Sequence, residues 1–138
     1  MAVEIDIVGQ AIMQRFMSDA SLSSAIADRM YFQQAPQDAV SPYCVFSINS
    51  ITHEEIMGGA DDNITSVTLQ FSLFSEDNTG GVRMAGLIAL LTECFDWNDL
   101  VINGWNCVKM QRVSVDPIMF IDEIWQANVL YELWMQKQ

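Results

Sequence analysis

An α+β fold is what this sequence predicts: one domain spanning residues 1–138, an antiparallel sheet of about four main strands, and helices packed on one face. Three observations carry that expectation. From Ser66 to Leu73 every odd position is apolar and every even one polar, the period of a strand buried on one face only. From Met84 to Phe95, apolar residues at 84, 87, 88, 91 and 95 recur with helical spacing and make one stripe that can lie on that strand. The chain length, 138 residues, sits near the commonest single-domain size and is enough to bury a sizeable core.

Taken in order, Ile5, Val8, Ile12 and Phe16 fall on one helical face, widened by Met13 and Met17, and predict a first helix from about Asp6 to Met17. A shorter second helix turns Leu22 and Ile26 inward, with Asp19 or Ser21 placed to accept hydrogen bonds from its free amides. Met30-Tyr31-Phe32 reads as a short strand. Gln33 to Pro42 has two prolines and no period, so it reads as a loop that delivers the chain extended to a strand from Tyr43 to Ser50. The segment from His53 to Asn63 reads as a long acidic hairpin tip. The organising strand begins at Asn63, and a short acidic turn leads into the main helix. After it come a turn to Gly104, a strand from Trp105 to Val115, a break at Asp116-Pro117 and a last strand from Trp125 to Trp134. The predicted order is ααβββαββ.

Eighteen acidic residues stand against six basic ones, giving a net charge of -12. Affinity for phosphate comes mainly from lysine and arginine, so a nucleic-acid-binding surface is not expected. Cys44, Cys94 and Cys107 are odd in number and lie among apolar residues, which predicts reduced thiols. The N-terminus has no basic stretch ahead of an apolar one, and no apolar run approaches the ~20 residues of a membrane helix, so cytoplasmic synthesis and no membrane are expected.

No motif here specifies chemistry. The single histidine, His53, has Glu54, Glu55, Asp61 and Asp62 near it in sequence, but Gly58 and Gly59 between them remove the rigidity a metal shell needs, so neither metal nor cofactor is expected. Thr79-Gly80-Gly81 precedes the main helix where amides can hold phosphate, yet Glu76 and Asp77 repel an anion and no Lys-Ser or Lys-Thr pair follows. Hydrolytic triads and paired-cysteine motifs have no counterpart, so no enzyme is expected. Trp97, Trp105, Trp125 and Trp134 fit core and edge positions better than a ligand cavity. The candidate site is therefore a contact loop: Glu54, Glu55, Met57, Gly58, Gly59, Asp61 and Asp62, long, polar and costly to bury. Ala85, Gly86 and Ala89 give the main helix a small-residue back that another chain can approach closely.

Several segments together resemble a known family. Asp19-Ala20-Ser21-Leu22, Asp28-Arg29-Met30-Tyr31, Ala35-Pro36-Gln37 and Ser41-Pro42-Tyr43-Cys44-Val45-Phe46 resemble the opening of the tail terminator, or tail-completion, proteins of long-tailed bacteriophages. Phe71-Ser72-Leu73-Phe74-Ser75 entering a helix is similar to that family's central strand, and the strand from Trp125 to its closing one. The resemblance implies a virion structural protein, usually a ring of six copies, that stops growth of the tail tube and joins it to the neck. Its implied partners are further copies of itself, the tail-tube protein and a neck or connector protein; its implied place is the tail–neck junction. A neck or head-completion subunit is the nearest alternative, and a small-ligand-binding domain one of another class. Strong negative charge suits a channel wall that DNA passes without sticking.

Overall fold

The computed structural model describes residues 3–34, 36, 37, 40, 42–54, 64–76 and 81–137. It is an α+β structure with three helices and a six-stranded mixed sheet. In chain order these are α1 (Val3–Ser18), α2 (Ala20–Ala25), β1 (Met30–Phe32), β2 (Tyr43–Glu54), β3 (Ile64–Ser75), α3 (Val82–Phe95), β4 (Trp105–Val115), β5 (Met119–Ile121) and β6 (Ile124–Lys137). Across the sheet the order is β1-β2-β3-β6-β4, with β5 also paired to β6.

The period-2 segment is the central strand. Along β3, Val67, Leu69, Phe71 and Leu73 are fully buried, and the residues between them face the open side half-exposed. Its neighbour β6 repeats the pattern with Ala127, Val129, Tyr131, Leu133 and Met135, which are its register partners or lie level with them. Helix α3 lies on this face against β3, β6 and β4, burying Met84, Leu87, Leu91, Cys94 and Phe95, with Ile88 half-buried. Phe71 is the hub of the aromatic packing, with ring centroids 4.7 Å from Phe95, 5.5 Å from Tyr131 and 6.0 Å from Phe46.

Helix α1 contributes Val8, Ala11, Ile12 and Phe16 to the same core, but Met17 points outward, 56% exposed. Asp19 caps α2, its carboxylate accepting from the Leu22 amide at 3.0 Å, and Leu22 and Ile26 turn inward as their spacing predicts. The C-terminus of α3 is tied down from two sides. Its Cys94 carbonyl accepts from Arg15 Nε of α1 at 2.9 Å and from Asn98 Nδ2 at 2.9 Å, partners for carbonyls that a helix end leaves unsatisfied. One residue beyond the helix, Asp96 accepts from the buried Tyr131 hydroxyl at 2.5 Å and lies 3.5 Å from Arg112, which locks the helix end to the sheet.

Several expectations need correcting. The sheet is mixed, not antiparallel, because the loop after β1 is long enough to bring the chain back in the same direction, and β1 pairs parallel with β2 through Met30↔Cys44, Tyr31↔Val45 and Phe32↔Phe46. The order is ααβββαβββ, since β5 forms a hairpin with β6 across a two-residue turn in which Asp122 and Glu123 both have positive φ (52° and 66°). Strand β2 runs on to Glu54, four residues past Ser50, because β3 continues its ladder as far as Glu54↔Ile64. Helix α1 starts at Val3, β3 at Ile64, and β6 spans Ile124–Lys137.

Candidate functional site

The predicted contact loop is only partly in view. Glu54 closes β2 opposite Ile64, the first residue of β3, so the intervening residues leave and re-enter the sheet at adjacent points. Glu55, Met57, Gly58, Gly59, Asp61 and Asp62 lie outside the described residues, as do Thr79 and Gly80 of the turn before α3. Gly81 caps α3 without a side-chain bond. Among the described residues no group of three or more His, Cys, Asp or Glu side chains is placed to hold a metal, and no helix is long and apolar enough to cross a membrane.

The cysteines are chemically quiet. Cys44 and Cys94 are buried and Cys107 half-buried, all free thiols. Burial pushes each thiol up, Cys94 to about 12, so the reactive thiolate is suppressed. The four tryptophans do not converge on a cavity. Trp97 is 66% exposed beyond α3, Trp125 packs on Phe120 in the β5–β6 hairpin, and Trp134 sits on the open side of the sheet beneath Lys109, whose Nζ lies 3.9 Å from the ring centroid.

What the fold does present is surface. Along the middle of β3 and β6 the open side of the sheet is lined by polar side chains held in order by one another, with Tyr43 and Phe74 stacked at 5.0 Å toward one end. Asn128 Oδ1 accepts from Ser72 Oγ at 2.8 Å, Gln126 Nε2 at 3.3 Å and Gln70 Nε2 at 3.4 Å. Farther along, Glu132 accepts from Ser66 Oγ at 3.1 Å and from the indole N–H of Trp134. Such a face keeps water or a polar partner at little desolvation cost.

The sheet edges are the second kind of surface, and residue spacing alone did not point to their side chains. Among the described residues no strand covers the outer side of β4, and β1 covers β2 only at residues 44–46. The β4 edge is apolar beyond what an uncovered edge needs. Val108 and Val113, each the extra residue at a β-bulge, are exposed, as are Val115 and the run Ile118 to Ile121. Bulges discourage uncontrolled edge pairing, whereas clustered exposed apolar groups mark a contact site. The signal in the sequence was weak: six apolar residues of 113–121 at positions with no period. The outer face of α3 is a third surface, with Val82, Ala85, Gly86 and Ala89 all exposed.

The family model for tail completion protein gp17 matches residues 10–116, more than three quarters of the chain. The chain belongs to the tail completion protein gp17 family. The match runs from within α1 to just past the end of β4. It contains every segment on which the resemblance rests except the strand beginning at Trp125. This tail completion protein is thus a bacteriophage virion structural protein.

Two solved structures share its fold. One is a chain from the virion of a native gene transfer agent particle, 10% identical, with a TM-score of 0.67 and coverage of 89% of this chain and 90% of that one. The other is 13% identical, with a TM-score of 0.70 and 96% of each chain covered. No curated protein sequence matches the chain.

Two of the family-like segments, distant by a loop, meet in space. Arg29 Nε donates to the Pro42 carbonyl at 3.0 Å, and the Cys44 amide donates to the Arg29 carbonyl at 2.9 Å. Asp28-Arg29-Met30-Tyr31 and Pro42-Tyr43-Cys44 together build the parallel β1–β2 unit at one edge of the sheet.

Proposed function

We propose that this tail completion protein is a tail terminator: six copies close a ring on the last tail-tube ring, stop tube growth and present a surface to the neck or connector protein. The observation that carries the reading is the family match over residues 10–116. Three structural features agree with it. The sheet has one helix-covered face and one ordered polar face, and strands at both margins with sides open for pairing among the described residues. Thiols held protonated by burial suit a protein that works by contact. One continuous core joins α1, α2, α3 and the sheet, which favours reading residues 1–138 as one domain.

Within that ring, the loop carrying Glu54, Glu55, Met57, Gly58, Gly59, Asp61 and Asp62 is proposed to reach the channel or the adjoining ring. On β3, β4 and β6 the polar sheet face carries Glu132 and Lys109 amid neutral Ser, Thr, Gln and Asn, so it contributes little of the net charge of -12. The acids of the loop are the better source of a field that repels passing DNA, and salt screens that field beyond about a Debye length.

Sedimentation of the purified protein, alone and mixed with tail tubes, followed by negative-stain imaging, tests the proposal. The expected result is a closed assembly of six times the chain mass, or a ring formed only on the tube end. A protein that stays monomeric and ignores tail tubes overturns it.

A further inference from the structure

We infer that the ring contact is head-to-tail, with the β4 edge of one copy seated against the α1–β1 edge of the next. The inference rests on the ring reading above and specifies its interface. A row of apolar side chains crosses the whole sheet as successive register partners: Phe32, Phe46, Phe71, Val129 and Val115. The three inner members are fully buried. The two end members are not, Phe32 being 36% and Val115 41% exposed. A row cut open at both margins of one sheet is completed when the margin of one copy meets the opposite margin of another, because burying the two ends removes apolar surface from water.

The margins differ in shape and charge in a complementary way. At the β1 margin the row opens into an apolar groove between α1 and β1, lined by Gly9, Met13 and Phe32 with Asp6 and Gln10 at its rim. Phe32 packs close on α1 at position 9, where a Cβ would stand 3.3 Å from its ring. At the β4 margin Val115 and the bulged Val113 project as exposed apolar groups, and Arg112 beside them is 42% exposed while using one edge of its guanidinium on Asp96. Copies of net charge -12 repel one another by default, and the part of Arg112 that Asp96 leaves exposed offsets that repulsion where it meets Asp6 on the receiving margin, despite Asp116 beside Val115.

Strand sense agrees. Strand β4 runs opposite to β1 and β2, so a neighbour related by rotation about an axis along the strands brings its β4 up antiparallel. Because the two patches are different and sit at opposite margins, the contact propagates from copy to copy, where a self-complementary patch would stop at a dimer, and it closes as a ring when the rotation per copy divides a full turn.

The test is oxidative cross-linking of full-length protein in the presence of tail tubes, with sedimentation of the same samples. A variant carrying both Phe32→Cys and Val115→Cys is expected to give a ladder of covalent multimers. A mixture of the two single variants should stop at dimers, and each single variant alone should give no new cross-link. A separate variant, Val115→Glu, changes an exposed side chain and should fold normally by circular dichroism yet associate at least about tenfold more weakly. Cross-linking of a single variant with itself, association without any cross-link in the double variant, or unchanged association of Val115→Glu each overturns the interface while leaving the ring standing. Absence of association, free or with tubes, overturns both.

Discussion

Replacing Phe71 by alanine should remove a large part of the stability of this protein, and the structure allows the size of the loss to be worked out. Phe71 is fully buried in the middle of β3, with β2 on one side and β6 on the other, and its ring meets those of Phe95, Tyr131 and Phe46. Core Phe→Ala changes cost about 3–5 kcal/mol, the spread reflecting how far the site can collapse. A central strand hydrogen-bonded on both sides cannot move into the cavity, and each lost aromatic pair adds ~0.5–1.5 kcal/mol beyond buried area, so the upper end, ~4–5 kcal/mol, is expected. Against a total of ~5–15 kcal/mol this is about a quarter of the whole or more. The neighbouring Ser72→Ala tests the face assignment. It removes two half-exposed hydrogen bonds, one donated to Asn128 at 2.8 Å and one accepted from Gln70 Nε2 at 3.2 Å that water can replace, and should cost about 0.5–1.5 kcal/mol. Urea unfolding of both variants decides the matter, the expected shift in midpoint for Phe71→Ala being roughly 2 M at an unchanged slope. If Ser72→Ala proved as damaging as Phe71→Ala, or if Phe71→Ala cost below ~1 kcal/mol, the assignment of the core to this face would be wrong.

Three further outcomes follow from single sites. Tyr131→Phe deletes the hydroxyl that donates to Asp96 and leaves the ring in place, so it should cost ~1.5–3 kcal/mol in the same assay. Burial raises the folded-state pKa of the Cys44, Cys94, Cys107 and Tyr131 groups, so the stability they contribute is complete below their unfolded values, from ~8.5 for the thiols to ~10 for tyrosine, and is lost as pH rises beyond; denaturant midpoints should fall through that alkaline range, and a flat profile would contradict the burial. Gly86→Ala places a Cβ in open space on the outer face of α3, so the chain should gain ~0.5–1 kcal/mol in thermal or urea unfolding, and a loss would mean that the helix face is covered in the free protein.

What was legible in the sequence was whatever a buried face imposes as a period. Strand β3 alternates because one side meets α3 and the other does not, and the stripe from Met84 to Phe95 is the reciprocal of that contact. Strand β4 shows why the rest resisted. Its residues on the covered side are Trp105, Cys107, Met110, Arg112 and Val115, spaced two, three, two and three, because the bulges at Val108 and Val113 each shift the alternation by one. Strand β5 has no alternation at all, since its three side chains are exposed. The parallel pairing of β1 was hidden for a different reason: a three-residue strand carries no information on the direction of its neighbour, and the register comes from Arg29 holding the Pro42 carbonyl across the loop.

That last bond connects the legible and the illegible. Two of the family-like segments, Asp28 to Tyr31 and Ser41 to Phe46, contain no catalytic chemistry, and a reading that looked for chemistry would discard them. Their physical role is to set a short parallel strand along the start of β2, which extends the sheet by one strand at one end and, among the described residues, leaves Ser47 onward without a strand partner on that side. Phe32 is thereby stacked on Phe46 at 4.9 Å and held half in solvent beside Gly9. A strand of three residues stabilises the free chain little, since it adds few ladder bonds and exposes an aromatic ring. As one wall of a groove that receives Val113 and Val115 of a neighbour, it gives back in assembly the apolar burial it forgoes in the monomer.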